Sequence, residues 1–204
     1  MDPTNVVVLM SDEHNARMLG SSGHSIVQTP NLDALAERGV SFSTAYCNSP
    51  ICVPSRASFA TGRYVHQIGA WDNAAPYTGS ASQSWGHCLA NSGIPVTTIG
   101  KLHYRDLSDD VGFPDQRIPM HVMDGKGDLF GCLRHDMTPT RFQLDHIDEA
   151  GAGDSEYLRY DSAIAREAVR WLHEETGGRT TPWCLFVSFT TPHFPLIAPS
   201  RHID

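Results

Sequence analysis

From Asn5 to Met10 the chain is almost wholly apolar, and it turns polar at once in Ser11-Asp12-Glu13-His14-Asn15. An unbroken apolar run of this length predicts a strand buried in a parallel sheet, with its carboxyl end carrying polar groups where open α/β sheets bind ligands. Thr29 to Gly39 follows a different period. Thr29 reads as an N-cap and Pro30 as the first helical residue, Leu32, Leu35 and Ala36 share one face, and Gly39 ends a helix. Val40 to Ala45 alternates as a short strand does. The proline-bracketed loop 48–54 then delivers Cys52 to the start of a helix running through Ser55 to Gly62.

Beyond a Gly-, Asn- and aromatic-rich connection, Trp85 to Asn91 predicts a short helix and Ile94 to Ile99 a β-branched strand ending in Gly100-Lys101-Leu102-His103. Residues 106–153 show little periodicity and predict mainly long loops with a few short strands, of the kind that often form sites. Ser155 to Glu175 carries Tyr157, Tyr160, Ile164, Ala165, Ala168, Trp171 and Leu172 at helical spacing and stops before Gly177-Gly178. Trp183 to Phe189 is a third strand, ending in Thr191-Pro192-His193. Alternation of strands and helices, with polar residues at each strand end, predicts an α/β layered fold.

Composition narrows the function. The 204 residues carry 15 Lys and Arg against 23 Asp and Glu, a net charge of −8, with no basic block to track a phosphate backbone, so nucleic acid is not an expected partner. No apolar run is long enough to span a bilayer. The amino terminus lacks the basic and apolar regions of a secretion signal, so a cytoplasmic protein is expected. The five cysteines, at 47, 52, 88, 132 and 184, contain no Cys-x-x-Cys pair and read as reduced thiols rather than a disulfide framework or zinc cage. The glycines of 125–131 are spaced wrongly for a dinucleotide loop and follow no strand.

Taken alone, Cys52 reads as a small buried hydrophobe. Its context differs: Cys52-Val53-Pro54-Ser55-Arg56 runs into a small-residue helix ending in Thr61-Gly62. This resembles the signature of the formylglycine-dependent type I sulfatases, of the alkaline-phosphatase-like superfamily. The blocks 29–40, Gly100 to His103 and Thr191 to Pro195 resemble others of the family in the family's order. Trp71-Asp72-Asn73-Ala74-Ala75 is most similar to the choline-sulfatase-like and phosphonate monoester hydrolase branch. The resemblance implies a three-layer α/β sandwich with a mostly parallel central sheet, incomplete in this chain.

It also implies that a separate maturation enzyme oxidises Cys52 to formylglycine, whose hydrate has two hydroxyls. One attacks sulfur; deprotonation of the other expels sulfate by carbon–oxygen cleavage, so no second attack at sulfur is needed. Carried over residue by residue, Asp12 and the oxidised position 52 would bind a divalent metal, Ca²⁺ above Mn²⁺ or Mg²⁺, because hard cations take oxygen donors. Glu13 stands where many members have a second aspartate. Ligation, substrate contact and a solvated carboxylate all stay open for it. Arg56 would hold the diol, Lys101 and His103 would contact diol and sulfuryl oxygens, and His193 would contact the sulfate or protonate the leaving oxygen. Asn73 would donate to the sulfuryl group, against the alternative of an Asx-turn. His14, His66 and His87 match no motif and read as structural, and Cys184 as packed in its strand.

Family members are several hundred residues long and complete their metal site downstream, so residues 1–204 read as the amino-terminal part of a single sulfatase catalytic domain. The substrate implied is a small-molecule sulfate ester. A phosphonate monoester or phosphodiester hydrolase with the same site is the enzymatic alternative, and a catalytically incomplete fragment the other. A sheet cut short exposes an edge and an apolar face, which predicts self-association, with a homo-oligomer as one form.

Overall fold

The computed structural model describes residues 4–127 and 149–203. Its central sheet is built from β1 (Val6–Ser11), β2 (Val96–Lys101), β3 (Asp115–Met120) and β5 (Cys184–Phe189), all parallel, in the order β1-β5-β2-β3. The short strands β4 (Ala150–Ala152) and β6 (Leu196–Ala198) pair separately. The helices are α1 (Pro30–Arg38), α2 (Cys52–Thr61), α3 (Val65–Ile68), α4 (Trp85–Asn91) and α5 (Glu156–Glu174).

Strand β5 shows why two helical layers form. Successive side chains on a strand point to opposite faces. Cys184 and Phe186 enter one core with Val96, Ala57 and Ala60, while Leu185 and Val187 enter another with Ile99, Ile164, Ala168 and Trp171. Helices α2 and α4 therefore cover the first face and α5 the second, the expected three layers. Each fully buried side chain such as Ile164 or Leu185 contributes roughly 2 kcal/mol relative to exposure. Trp171 adds an edge-to-face contact with Trp183 at 4.9 Å.

Several expectations are corrected. Strand β1 lies at the sheet edge, and although Val8 and Met10 pack beneath α2, Val7 and Leu9 on the opposite face are 46% and 61% exposed, because α5 is centred on β2 and β5. Helix α1 forms where its pattern predicts, yet Leu32 and Leu35 are exposed and none of its residues is buried. The Thr29 hydroxyl makes no cap; it bonds Asp33 at 2.8 Å and accepts from the Gly20 amide. Residues 40–45 form no strand, since alternation without a ladder partner cannot hold an extended segment. Strand β3 appears within the loop-like stretch because its polar Asp115-Gln116-Arg117 and Pro119 suit a sheet edge. Arg117 ties it to Glu167 of α5 and to Glu175 at 3.1 and 2.6 Å.

Helix α5 is capped by Ser155, whose hydroxyl accepts from the Leu158 amide. Among the described residues no cysteine is paired, Cys184 is buried as expected, and no helix is long and apolar enough to cross a membrane. Cys132 and residues 128–131 of the glycine-rich stretch lie outside the described residues.

Candidate active site

Parallel strands place their carboxyl ends on one rim of the sheet. Ser11 pairs with Phe189 and Gly100 with Ser188, so Asp12, Lys101 and the segment after Phe189 emerge at the same level. The close approach at this rim requires a glycine: Gly100 has φ +100°, and a Cβ there would meet the Ser188 carbonyl at 2.2 Å. Helix α2 points its first residue, Cys52, at this rim, and one donor atom each from Asp12, Cys52 and His193 lies within 4.8 Å of the others.

The electrostatic centre is Asp12. Lys101 Nζ donates to its Oδ2, and Arg56 Nη2 stands 3.6 Å from the same oxygen. Burial pushes the Asp12 carboxyl up, but Lys101 and Arg56 outweigh it and hold the group below the ordinary carboxylate range. Arg56 is fixed by Nη1, which donates to the Lys101 carbonyl at 2.5 Å and the Ser188 hydroxyl at 2.8 Å, while its buried Nη2 has no hydrogen-bond partner. That unsatisfied donor is the kind of group an anionic oxygen satisfies.

His103 follows β2 with φ +59°, and its Nδ1 is buried without a partner. Burial, then Lys101 and Arg56, push its imidazole down to about 3, so at neutral pH it is uncharged. Burial also raises the Cys52 thiol, with Lys101 opposing. His193 is half-buried; its Nδ1 lies 2.7 Å from the Phe194 carbonyl oxygen and its Nε2 3.5 Å from Glu13 Oε1. Glu13 itself is exposed, at φ +59°.

Asn73 Oδ1 accepts from the Val53 amide at 3.0 Å, satisfying one of the free N–H groups at the start of α2. The turn character anticipated for this stretch belongs to Asp72, whose Oδ1 accepts from Ala74. The three unmatched histidines are structural: His14 bonds the Met18 carbonyl, His66 stacks on Tyr64, and His87 completes the capping box of α4.

Two residues near this rim escape a reading by motif. Tyr157 meets the His193 ring edge-on at 5.6 Å, and Asp161 accepts three hydrogen bonds from the Thr190-Thr191 turn. A signal for the second exists: Asp161 falls in the stripe 157, 161, 164, 168, 171, where a carboxylate among core positions calls for buried donors.

A family profile described as Sulfatase matches residues 4–204. The chain belongs to the sulfatase family. It is 29% identical over 98% of its length to the choline-sulfatase of Rhizobium meliloti, covering 40% of that protein. With arylsulfatase K of Danio rerio it shares 30% identity over 94% of the chain, covering 34% of that relative. It superposes on the phosphonate monoester hydrolase of Agrobacterium radiobacter with TM-score 0.66 and 22% identity, over 96% of this chain and 42% of that one. This sulfatase-family chain thus has the α/β fold of its relatives and spans less than half their length.

Proposed function

We propose that this chain is the amino-terminal part of a single sulfatase catalytic domain, hydrolysing small-molecule sulfate monoesters with a formylglycine made from Cys52 by a maturation enzyme. The observation that carries this reading is the convergence of Asp12, Cys52 and His193 beside Lys101 and Arg56. The names of the choline-sulfatase and arylsulfatase K relatives support the sulfate-ester class.

The donors fit an oxygen-seeking divalent cation only once Cys52 is oxidised, because a thiol is too soft a ligand for Ca²⁺ or Mg²⁺. Asp12 and the oxidised position 52 would hold it, with exposed Glu13 outside the cluster of donor atoms, which is fewer than the six to eight oxygens Ca²⁺ takes. The remainder fits a chain spanning 40% of its relative. Bound there, the cation supplies positive charge to polarise the oxygens around it.

The chain's own groups account for the other requirements. Arg56 Nη2, desolvated and unsatisfied, binds an anionic oxygen, and Lys101 sets positive charge where sulfuryl oxygens gain electron density. Neutral His103 offers a nitrogen to a hydroxyl at position 52 without adding charge. His193, its Nδ1–H directed at the Phe194 carbonyl, presents Nε2 to the leaving oxygen, to which the cationic ring can pass a proton. The Asn73 amide keeps its Nδ2 hydrogens for a sulfuryl oxygen, since Oδ1 is committed to Val53.

Expression beside a maturation enzyme should yield an aldehyde at position 52 by peptide mass spectrometry, and the aldehyde form should turn over an aryl sulfate. Thiol alone in every preparation would count against the reading. The phosphonate monoester hydrolase neighbour favours a second reading, phosphonate or phosphodiester hydrolysis at the same residues. Faster turnover of a phenyl phosphonate than of the aryl sulfate would select it. The bare face of β1 and the length shared with relatives favour a third, a catalytically incomplete fragment, which predicts no turnover despite the aldehyde.

A further inference from the structure

His193 is attached to the sheet by a turn, and turns at a strand end hold a side chain loosely unless something fixes them. Here the fixing group comes from the opposite layer. Asp161, on α5 and only 8% exposed, accepts from the Thr190 amide at 2.7 Å, the Thr191 amide at 2.7 Å and the Thr191 hydroxyl at 2.6 Å. The Thr191 carbonyl in turn accepts from the Ser11 hydroxyl at 2.7 Å, which joins the turn to the strand that carries Asp12. The turn closes through the His193 amide, which donates to the Thr190 carbonyl at 3.0 Å. One helical turn before Asp161, Tyr157 braces the His193 ring edge-on, and Phe194 stacks on its face at 4.3 Å.

A buried carboxylate that accepts two adjacent amides and a hydroxyl leaves those groups no other orientation that satisfies them. We infer that Asp161 is a positioning residue: its carboxylate locks the Thr190-Thr191 turn so that the His193 ring faces Asp12 and position 52. This rests on the sulfatase reading only for the consequence in catalysis; the geometric claim stands by itself.

The test uses the 204-residue chain with ¹⁵N-labelled histidine. In Asp161→Asn, an NH₂ group or a single acceptor confronts three donors, so the His193 ring signals should shift or broaden while those of His66, exposed on α3, stay in place. Thr191→Val removes one of the three bonds without touching Asp161 and should shift the same signals less. It also keeps the inference testable if Asp161→Asn does not fold. Ile164→Val, a buried change one turn along α5, should lower the melting temperature with the His193 signals unmoved. In the aldehyde-bearing enzyme Asp161→Asn should lower kcat about tenfold to a hundredfold, with little change in KM, as a small displacement of a reacting group does. Unshifted His193 signals in both Asp161→Asn and Thr191→Val would overturn the inference and reduce Asp161 to a stabilising contact. If the aldehyde form turns over no sulfate or phosphonate ester and the His193 signals still shift as stated, the catalytic reading fails and the positioning inference holds.

Discussion

The ammonium of Lys101 is hydrogen-bonded to the carboxylate of Asp12 across β5, joining the ends of two strands that share no backbone hydrogen bond. Lys101 is 2% exposed, so its charge is stranded without Asp12, while Asp12 without Lys101 keeps only Arg56 at 3.6 Å. Lys101→Met should destabilise the chain by about 3 kcal/mol, and adding Asp12→Asn should recover part of the loss. Because the Asp12 pKa is depressed on folding, the contribution is complete above the ordinary value of about 3.9 and is lost as pH falls through the lower folded value. Urea unfolding of the single and double variants measures both.

His103 gives a second, separate acid sensitivity. Its imidazole is driven down to about 3 when folded, against about 6.5 in the unfolded chain. Between those values the unfolded chain binds the extra proton. Stability is therefore unaffected above about pH 6.5 and falls as pH drops, by at most about 1.4 kcal/mol per unit. His103→Asn, which tolerates the positive φ, should flatten the profile in that window. A slope unchanged in the variant would show that another group titrates there.

Cys52 in its thiol form should be a slow nucleophile, because burial raises its pKa and leaves little thiolate at neutral pH. Under limiting iodoacetamide, peptide mapping should find exposed Cys47 and Cys88 alkylated well before Cys52.

The bare face of β1 should drive association of the 204-residue chain. Val7 and Leu9 lie beside a strand edge that is unpaired among the described residues, a combination that templates pairing with another chain. Light scattering should show concentration-dependent growth, and Val7→Thr with Leu9→Thr should reduce it. Equal scattering from both proteins would place the association elsewhere.

Much of this was legible in the chain because it is local. Strands β1, β2 and β5, helices α1, α4 and α5, and the delivery of Cys52 to a helix start all follow from runs, periods and caps within a dozen residues. The motif residues Asp12, Cys52, Lys101, His103 and His193 could be named because spacing along the chain carries the resemblance. What no local pattern contains is coverage. Whether Val7 and Leu9 are buried depends on how far α5, about 150 residues away, reaches across the sheet. Asp161 looks like one more polar helix residue until the Thr190-Thr191 turn is folded against it. The lowered pKa of His103 likewise arises first from burial and then from Lys101 and from Arg56 of α2, and that of Asp12 from Lys101 of β2 and Arg56 acting against its own burial. Backbone periodicity and capping act through neighbours in sequence, so the sequence alone determined the strands β1, β2 and β5, the helices α1, α4 and α5 and the side chains at their ends, but neither the missing strand at 40–45 nor β3. Burial and electrostatics act through neighbours in space, so only the tertiary structure decided which of those side chains meet, which remain exposed, and which charge each one feels.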